Sequence, residues 1–400
     1  MYQANKPTPL FTSRGRVRPS VLRPVVLHAV REYLPLTENW IYEQIRQASG
    51  FFPVVVCDQK SNDRAFPLGD VFANSELRFA RAHHLLNQLH RKVLYANWPG
   101  SYGGVVSTYQ PRLIHAHFGD RGVLMLGTAK RHKIPLVTTF YGYDVSKMPL
   151  EAKWQPRLRW LFEEGDMFLA EGPAMRRRLI ALGCPEEKAH VHHLGVDPRR
   201  ILFSPRQAPA AGPMRVLMAA SFREKKGLIY GLEAFARLAQ RRRGQVQLTI
   251  IGDGPLKEEL RALASEMKVM PFIRWLGYQP HDVFLREASA CHLFMAPSVV
   301  ASDGDTEGGA PVSIIEAQAT GLPVLATTHA DIPEVTLPGV SAFLVPERDV
   351  DALEERLEYM LDHPEIWAAM GMAGRAHVQK EFDSFNQGKR LEALYRQIMR

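Results

Sequence analysis

Short, continuous apolar runs recur along this 400-residue chain, each followed by a stretch with helical spacing. The first set is VVLHAV (25–30), FPVVVCD (52–58), LIHAHFG (113–119), IPLVTTF (134–140) and MFLA (167–170). The second is RVLMAAS (215–221), QLTIIG (247–252), FIRWLG (272–277), CHLFMAPS (291–298), PVLATT (323–328) and AFLV (342–345). A strand that is apolar without alternation has to be covered on both faces, and strands alternating with helices meet that need in βαβ units around a parallel sheet. Between the two sets lies FSPRQAPAAGPM (203–214), with the Pro, Ala and Gly content of a linker. The chain is therefore expected to be α/β, with two similar halves joined by a hinge, and 400 residues exceed what one ordinary core holds.

Within the first half, REYLPLTENWIYEQIRQ places Trp40, Ile41, Gln44 and Ile45 on one helical face, with Thr37 or Asn39 as the cap. Residues 1–20 read as a polar, basic arm, and the last fifty residues as helical. No run of eighteen apolar residues occurs and Arg23–Pro24 interrupts the first apolar stretch, so neither a membrane span nor a signal peptide is expected. Cys57, Cys184 and Cys291 are scattered, an odd number without metal-ligand spacing, which points to a reducing compartment and a cytoplasmic location. A formal charge of +8 favours an anionic partner: nucleic acid, an anionic bilayer or a phosphate-rich substrate. The segment 77–95 has the pattern of a basic amphipathic helix, which reads first as a packed helix with a solvated basic face and, as the alternative, as one that docks peripherally on an anionic membrane.

Parallel sheets bind ligands beyond the carboxyl ends of their strands, which makes the loops there the candidate site. The richest is the stretch 296–335, where a buried strand leads into an acidic glycine-rich loop and a helix beginning near Pro311. Gly308, Gly309 and Ala310 would offer backbone N–H groups, and the helix beginning near Pro311 its N-terminus, to a phosphate or diphosphate. Glu307 and Glu316 are poor phosphate ligands but suit the hydroxyls of a sugar and a ribose, because an ionised carboxylate only accepts hydrogen bonds. The loop SFREKKG (221–227) brings Arg223, Lys225 and Lys226 to the first strand end of the second half, where cations would meet the charge of a departing nucleoside diphosphate. Lys225 is expected to point to solvent. Gly252 and Gly254 in IGDGP permit close backbone approach to a ligand, although Pro255 and the missing third glycine disfavour a dinucleotide enzyme. His117 and the YGYD loop from Tyr141 to Asp144 lie at strand ends of the first half. No Asp-x-Asp is read in a loop suited to hold a metal and diphosphate, and no His/Cys cluster has ligand spacing, so no metal or other cofactor is expected.

EGGAPVSIIEAQATGLPV resembles the Glu-x7-Glu signature of the family 4 retaining glycosyltransferases of GT-B fold, especially those of bacterial exopolysaccharides such as colanic acid. Here the spacing is Glu-x8-Glu. HAHFG, TTFYGYD and HLGVD (193–197) are similar to the family's N-terminal signatures, with Tyr141 where many members have His. Lys226 matches the family's phosphate-binding Lys, whereas its Arg position is Ser221, which leaves Arg223 to substitute. The resemblance implies two Rossmann-like domains facing a cleft, an acceptor domain at 1–204 and a nucleotide-sugar domain at 205–380, with 381–400 crossing back. It implies a catalytic set of Glu307, Arg223, Lys226, His117 and Tyr141. The nucleotide and sugar would be bound by Glu316, Gly252, Gly254, Gly308, Gly309, Ala310, Pro311 and Asp144. The partners it implies are a UDP-sugar donor and a glycan or lipid-linked acceptor, not nucleic acid. A non-catalytic nucleotide- or glycan-binding protein of the same fold is the rival reading.

Overall fold

The computed structural model describes residues 23–399 apart from 36–37, 63, 77–84, 86–87 and 90–101. The arm at 1–20, the Thr37 cap and nearly all of the basic segment 77–95 lie outside the described residues. A seven-stranded parallel sheet forms the first half, in the spatial order Val71–Ala73, Phe52–Cys57, Val25–Ala29, Leu113–His117, Leu136–Thr139, Met167–Ala170, Ala189–Val191. The second half holds a six-stranded parallel sheet, in the order Ile273–Gly277, Val246–Ile251, Met214–Ala219, Leu293–Ala296, Val324–Thr327, Ala342–Val345. Each apolar run of the sequence forms one of these strands. The two three-residue edge strands, Val71–Ala73 and Ala189–Val191, carry too few apolar residues to stand out by pattern.

Helices cover both faces of each sheet, as strands such as Val25–Ala29, buried at every position, require. The helix Asn39–Gln47 buries Ile41, Gln44 and Ile45 as its periodicity predicts. Asn39 is its first residue rather than its cap; Glu38 holds the cap position without a side-chain hydrogen bond.

The linker stretch is more firmly held than its composition suggests. Ser204 N–H donates to Thr320 O at 3.1 Å, and the buried Arg206 guanidinium donates to Ala288 O and Thr320 Oγ1. The stretch from Ser204 on is therefore docked on the second half. The chain crosses between halves just upstream and returns at 382–384, where Val196 N–H donates to Phe382 O and Ser384 N–H donates to Val196 O. Beyond that return, the helix Ser384–Ile398 packs into the first half, with Leu391 and Tyr395 buried beside Val26, Phe51 and Leu113. Among the described residues no helix is long and apolar enough to cross a membrane.

Candidate functional site

In the second sheet the strand order reverses between Met214–Ala219 and Leu293–Ala296, which opens a crevice at their carboxyl ends. The loops leaving those strands meet there. Lys226 Nζ donates to Glu307 Oε2 at 2.7 Å, and Ser298 Oγ donates to Glu307 Oε1 at 2.8 Å. Glu307 is buried, and burial works to raise its pKa. The Lys226 and Lys225 ammonium groups more than offset that, and the carboxyl stays below the ordinary glutamate value. The additional residue of Glu-x8-Glu has not displaced Glu307 from the cation.

Lys225 does not point to solvent. Its Nζ donates to Thr306 O at 2.9 Å and contacts Asp305 Oδ1 at 3.2 Å, pinning the acidic loop from the opposite side. Arg223 is exposed at the start of the turn Glu224–Lys226, and its guanidinium has no partner among the described residues. Gly252 and Gly254 admit the chain's own backbone: an added Cβ would lie 1.9 Å from Ala220 O at Gly252 and 2.8 Å from Phe222 O at Gly254. They shape the cation-bearing loop from behind.

Pro311 holds the N-cap position of the helix Val312–Thr320, with no side-chain cap bond. Glu316 is buried in that helix, and its Oε1 lies 2.6 Å from Nε2 of His281, the first residue of the helix His281–Ala290. The hydrogen bond to Glu316 raises the His281 pKa against the effect of burial. Sequence reasoning missed His281; its only signal is a polar QPH after FIRWLG, at a strand end.

From the first half, the YGYD loop closes on this crevice. Gly308 has φ 75°, and a Cβ there would sit 2.2 Å from Gly142 Cα, so the two loops touch backbone to backbone. Asp331 Oδ1 and Oδ2 accept from Ala174 N–H at 2.6 Å and Met175 N–H at 3.1 Å, capping the first-half helix Pro173–Ala181 from the second half. Lys147 pairs with Asp303 at 2.5 Å. A cavity of about 420 Å³ lies between the halves, with Val145, Leu150 and Ala174 on one wall and Val300, Gly308 and His329 on the other.

His117 and Tyr141 face inward rather than into the cleft. His117 Nδ1 lies 2.6 Å from Tyr141 Oη, which donates to Gln44 Oε1 at 3.0 Å; Gln44 Nε2 in turn lies 3.2 Å from His192 Nδ1. On its other side His117 Nε2 is 3.1 Å from His28 Nδ1. Donor and acceptor roles close consistently when every imidazole is neutral: His28 donates to His117, His117 to Tyr141, Tyr141 to Gln44, Gln44 to His192, and His192 to Gln387 O at 3.1 Å. Burial pulls the His28 pKa down to about 3 and that of His192 to about 4, and those of His115 and His117 well below the usual value. His28, His115 and His117 come close enough to share an ion. Their rings are stacked or tilted rather than converging, and both His115 nitrogens are taken by Tyr395 Oη and Thr139 Oγ1, which fits a hydrogen-bonded core better than a metal centre.

Asp144 is buried and spends its carboxylate on backbone. Oδ1 accepts from the N–H groups of Tyr141 and Gly142, and Oδ2 from Gly119 N–H. Those bonds hold the turn after Phe118, a non-glycine residue at φ 78° and ψ 147°. Burial lifts the Asp144 pKa to about 6.

Two family models match the chain: Glycosyltransferase Family 4 over residues 39–200 and Glycosyl transferases group 1 over residues 213–363. The putative colanic acid biosynthesis glycosyltransferase WcaL of Escherichia coli (strain K12) is 32% identical over 299 residues, covering 73% of this chain and 72% of that protein. The amylovoran biosynthesis glycosyltransferase AmsK of Erwinia amylovora is 33% identical over 269 residues, 67% of this chain and 65% of that protein. Among solved structures, Anabaena Alr3699/HepE in complex with UDP-glucose matches with a TM-score of 0.74 at 17% identity, over 93% of this chain and 99% of that one.

Proposed function

Because the chain belongs to the group 1, family 4 glycosyltransferases and has their GT-B fold, we propose a specific transfer for it. A sugar moves, with its anomeric configuration retained, from UDP to a glycan or lipid-linked acceptor in exopolysaccharide, capsule or lipopolysaccharide biosynthesis. The observation that carries this reading is the Lys226–Glu307 pair at the crevice of the second sheet, beside the helix that bears Glu316. An ammonium has three donors, and Glu307 takes one, so Lys226 keeps donors for the diphosphate. The Arg223 guanidinium and the N-terminus of Val312–Thr320 supply the rest of the clamp. Glu316 accepts from the ribose hydroxyls, sharing its carboxylate with His281. Tyr141, His117 and Asp144 position the YGYD loop from behind. Fixed cations meet the charge that leaves with UDP, so transfer needs no metal. UDP and UDP-glucose in the Anabaena relative support the choice of nucleotide. We place the enzyme in the cytoplasm, peripheral on the inner face of the membrane, where a lipid-linked acceptor presents its glycan; nucleic acid has no part in the reading.

A donor screen by thermal shift tests the proposal. A nucleotide sugar at one hundred times its dissociation constant stabilises the folded chain by roughly 2.7 kcal/mol. UDP-glucose, UDP-galactose, UDP-N-acetylglucosamine and GDP-mannose form the panel, and no shift with any of them overturns the reading. Turnover that EDTA abolishes and Mg²⁺ or Mn²⁺ restores overturns its metal-free part. Arg223→Ala with unchanged turnover and UDP affinity leaves Lys226 and the helix N-terminus as the whole clamp.

A further inference from the structure

Glu171 follows the strand Met167–Ala170 in the first half, and its carboxylate crosses the domain boundary. A Cβ built on Gly309 would lie 2.0 Å from Glu171 Oε2, so that oxygen rests against the loop between Glu307 and the helix Val312–Thr320. Its backbone is fixed on both sides: Glu171 O accepts from His193 Nδ1 at 2.6 Å, and Glu171 N–H is 3.4 Å from Met175 Sδ. Its carboxylate, by contrast, makes no hydrogen bond among the described residues.

The surrounding carboxylates are all engaged. Asp331 caps the helix Pro173–Ala181, Asp144 holds three backbone N–H groups, and Glu307 has Lys226 and Ser298. Glu171 is half-buried among them. Burial first, then the charges of Asp331, Asp144 and Glu307, hold its carboxyl well above the usual range, with Lys226 pulling the other way. On the facing loop, the N–H groups of Gly309 and Ala310 also lack a hydrogen bond among the described residues. An unused acceptor on one domain thus stands opposite unused donors on the other. A sugar hydroxyl, which both donates and accepts, satisfies the two together. Tyr141, the first-half residue nearest this role by sequence, has committed its phenol to Gln44 and His117.

We propose that Glu171 is the group through which the first domain grips the transferred sugar: its carboxylate accepts from a hydroxyl of the hexose held by Glu307 and the Gly309 and Ala310 N–H groups. The contact exists only with the domains closed, so it joins domain closure to recognition of the sugar's hydroxyl pattern. This rests on the reading that the second domain holds a nucleotide sugar.

The test compares the parent chain with Glu171→Ala and Glu171→Gln, using UDP alone and UDP-glucose, UDP-galactose, UDP-N-acetylglucosamine and GDP-mannose. The readouts are affinity by calorimetry, kcat and KM for donor consumption, and the melting temperature. Glu171→Ala should lower kcat/KM for the preferred donor by about 3- to 10-fold, the range for one hydrogen bond to a neutral group, and compress the preference among donors. Glu171→Gln should recover part of the loss, since its amide oxygen still accepts. UDP affinity should stay within about twofold in both, and neither variant should melt lower than the parent, because a crowded carboxylate has been removed. Unchanged kcat/KM and donor ranking in both variants overturn the proposal and leave the nucleotide-sugar reading standing. An equal loss of UDP affinity also overturns it, by moving the contact to the nucleotide. Stabilisation of the parent but not of Glu171→Ala by Mg²⁺ or Mn²⁺ alone makes the group a cation ligand instead. A parent chain that binds none of the four donors removes the underlying reading and this proposal with it.

Discussion

Removing Lys226 should cost stability as well as turnover, and a double variant should separate the two losses. In the folded chain the Glu307 side chain is only 6% exposed, with Lys226 Nζ at 2.7 Å and Ser298 Oγ at 2.8 Å. Lys226→Met leaves that carboxylate enclosed, with the Ser298 hydroxyl and a Lys225 ammonium already bound to Asp305. Breaking a buried pair from one side costs about 3–5 kcal/mol because an uncompensated charge stays behind, and the residual pull of Lys225 places this case near 3 kcal/mol. Glu307→Gln is milder, about 1 kcal/mol, because the amide keeps the Ser298 bond and the freed ammonium can turn to water. The double variant buries no charge and should lie within about 1 kcal/mol of Glu307→Gln, a coupling of roughly 3 kcal/mol.

The pH dependence carries a sign. In the parent the Glu307 pKa is lowered, so its stabilisation is present above the unfolded glutamate value of about 4.3 and is lost as pH falls through the folded value. In Lys226→Met the Lys226 charge no longer offsets burial, the carboxyl rises, and the variant loses stability as pH climbs. The gap between the two should widen from pH 5 to pH 8. Urea midpoints of all four proteins measure it, and turnover of the double variant should remain about 10²- to 10³-fold below the parent despite the regained stability. A coupling under about 0.5 kcal/mol, or a gap that does not widen with pH, would refute the claim that enclosure makes Glu307 depend on Lys226.

Glu316→Gln should weaken UDP binding, while Glu307→Gln spares UDP and harms transfer; equal loss of UDP affinity in both reverses the assignment. Gly308→Ala puts a methyl where Gly142 Cα stands, at 2.2 Å, on a backbone with φ 75°. It should lower turnover by about 10²-fold by misplacing the closed domains, and raise the radius of gyration in solution scattering; an unchanged radius with full turnover refutes the backbone contact. His28→Asn keeps a donor to His117 but removes an imidazole that burial holds near pKa 3. A depressed histidine gives stability that is present above the unfolded value of about 6.5 and lost as pH falls. Between pH 8 and 5.5 the parent should therefore lose about 1.4 kcal/mol more than the variant, and parallel urea midpoints against pH would refute this.

The strands were legible because each is a local run: buried on both faces, it must be apolar throughout, and IPLVTTF or QLTIIG says so without help from the rest of the chain. The approach of Glu307 to Lys226 was legible for a related reason, since both lie in loops after buried strands, where a parallel sheet presents polar groups, and Glu316 was read from the helix that follows. What stayed hidden is what only the packed sheets decide. His281 meets Glu316 from 35 residues away, and His115 meets Tyr395 from 280 away. Lys225 looked solvated because its partner Asp305 lies 80 residues on, in a loop whose approach nothing local announces. Glu171 directly follows an apolar strand and reads as its polar end; only the packed structure shows that Gly309 of the other half approaches it.

The departure at Tyr141 makes sense in the same terms. A phenol reaches Gln44 Oε1 while accepting from His117 Nδ1, and so links a chain of neutral imidazoles from His28 to His192. That chain ends on Gln387 O, and His115 separately meets Tyr395; both partners lie on the helix that returns from the second half. The returning helix is thus part of the first domain's polar core. Any rotation that opens the cleft must therefore bend where the two crossings run side by side, at Gly195–Val196 and Phe382–Ser384, rather than within the docked stretch from Ser204. Gly195 suits that place, since a Cβ there would lie 2.6 Å from Ser384 Cα. Bending at that pair pulls Gly142 from Gly308, Asp331 from the helix Pro173–Ala181, and Glu171 from Gly309, while Lys226, Glu307 and Glu316 stay together on the second domain. On the proposed reading, contacts to the nucleotide would accordingly survive opening, and those to the sugar from the first domain would exist only on closure.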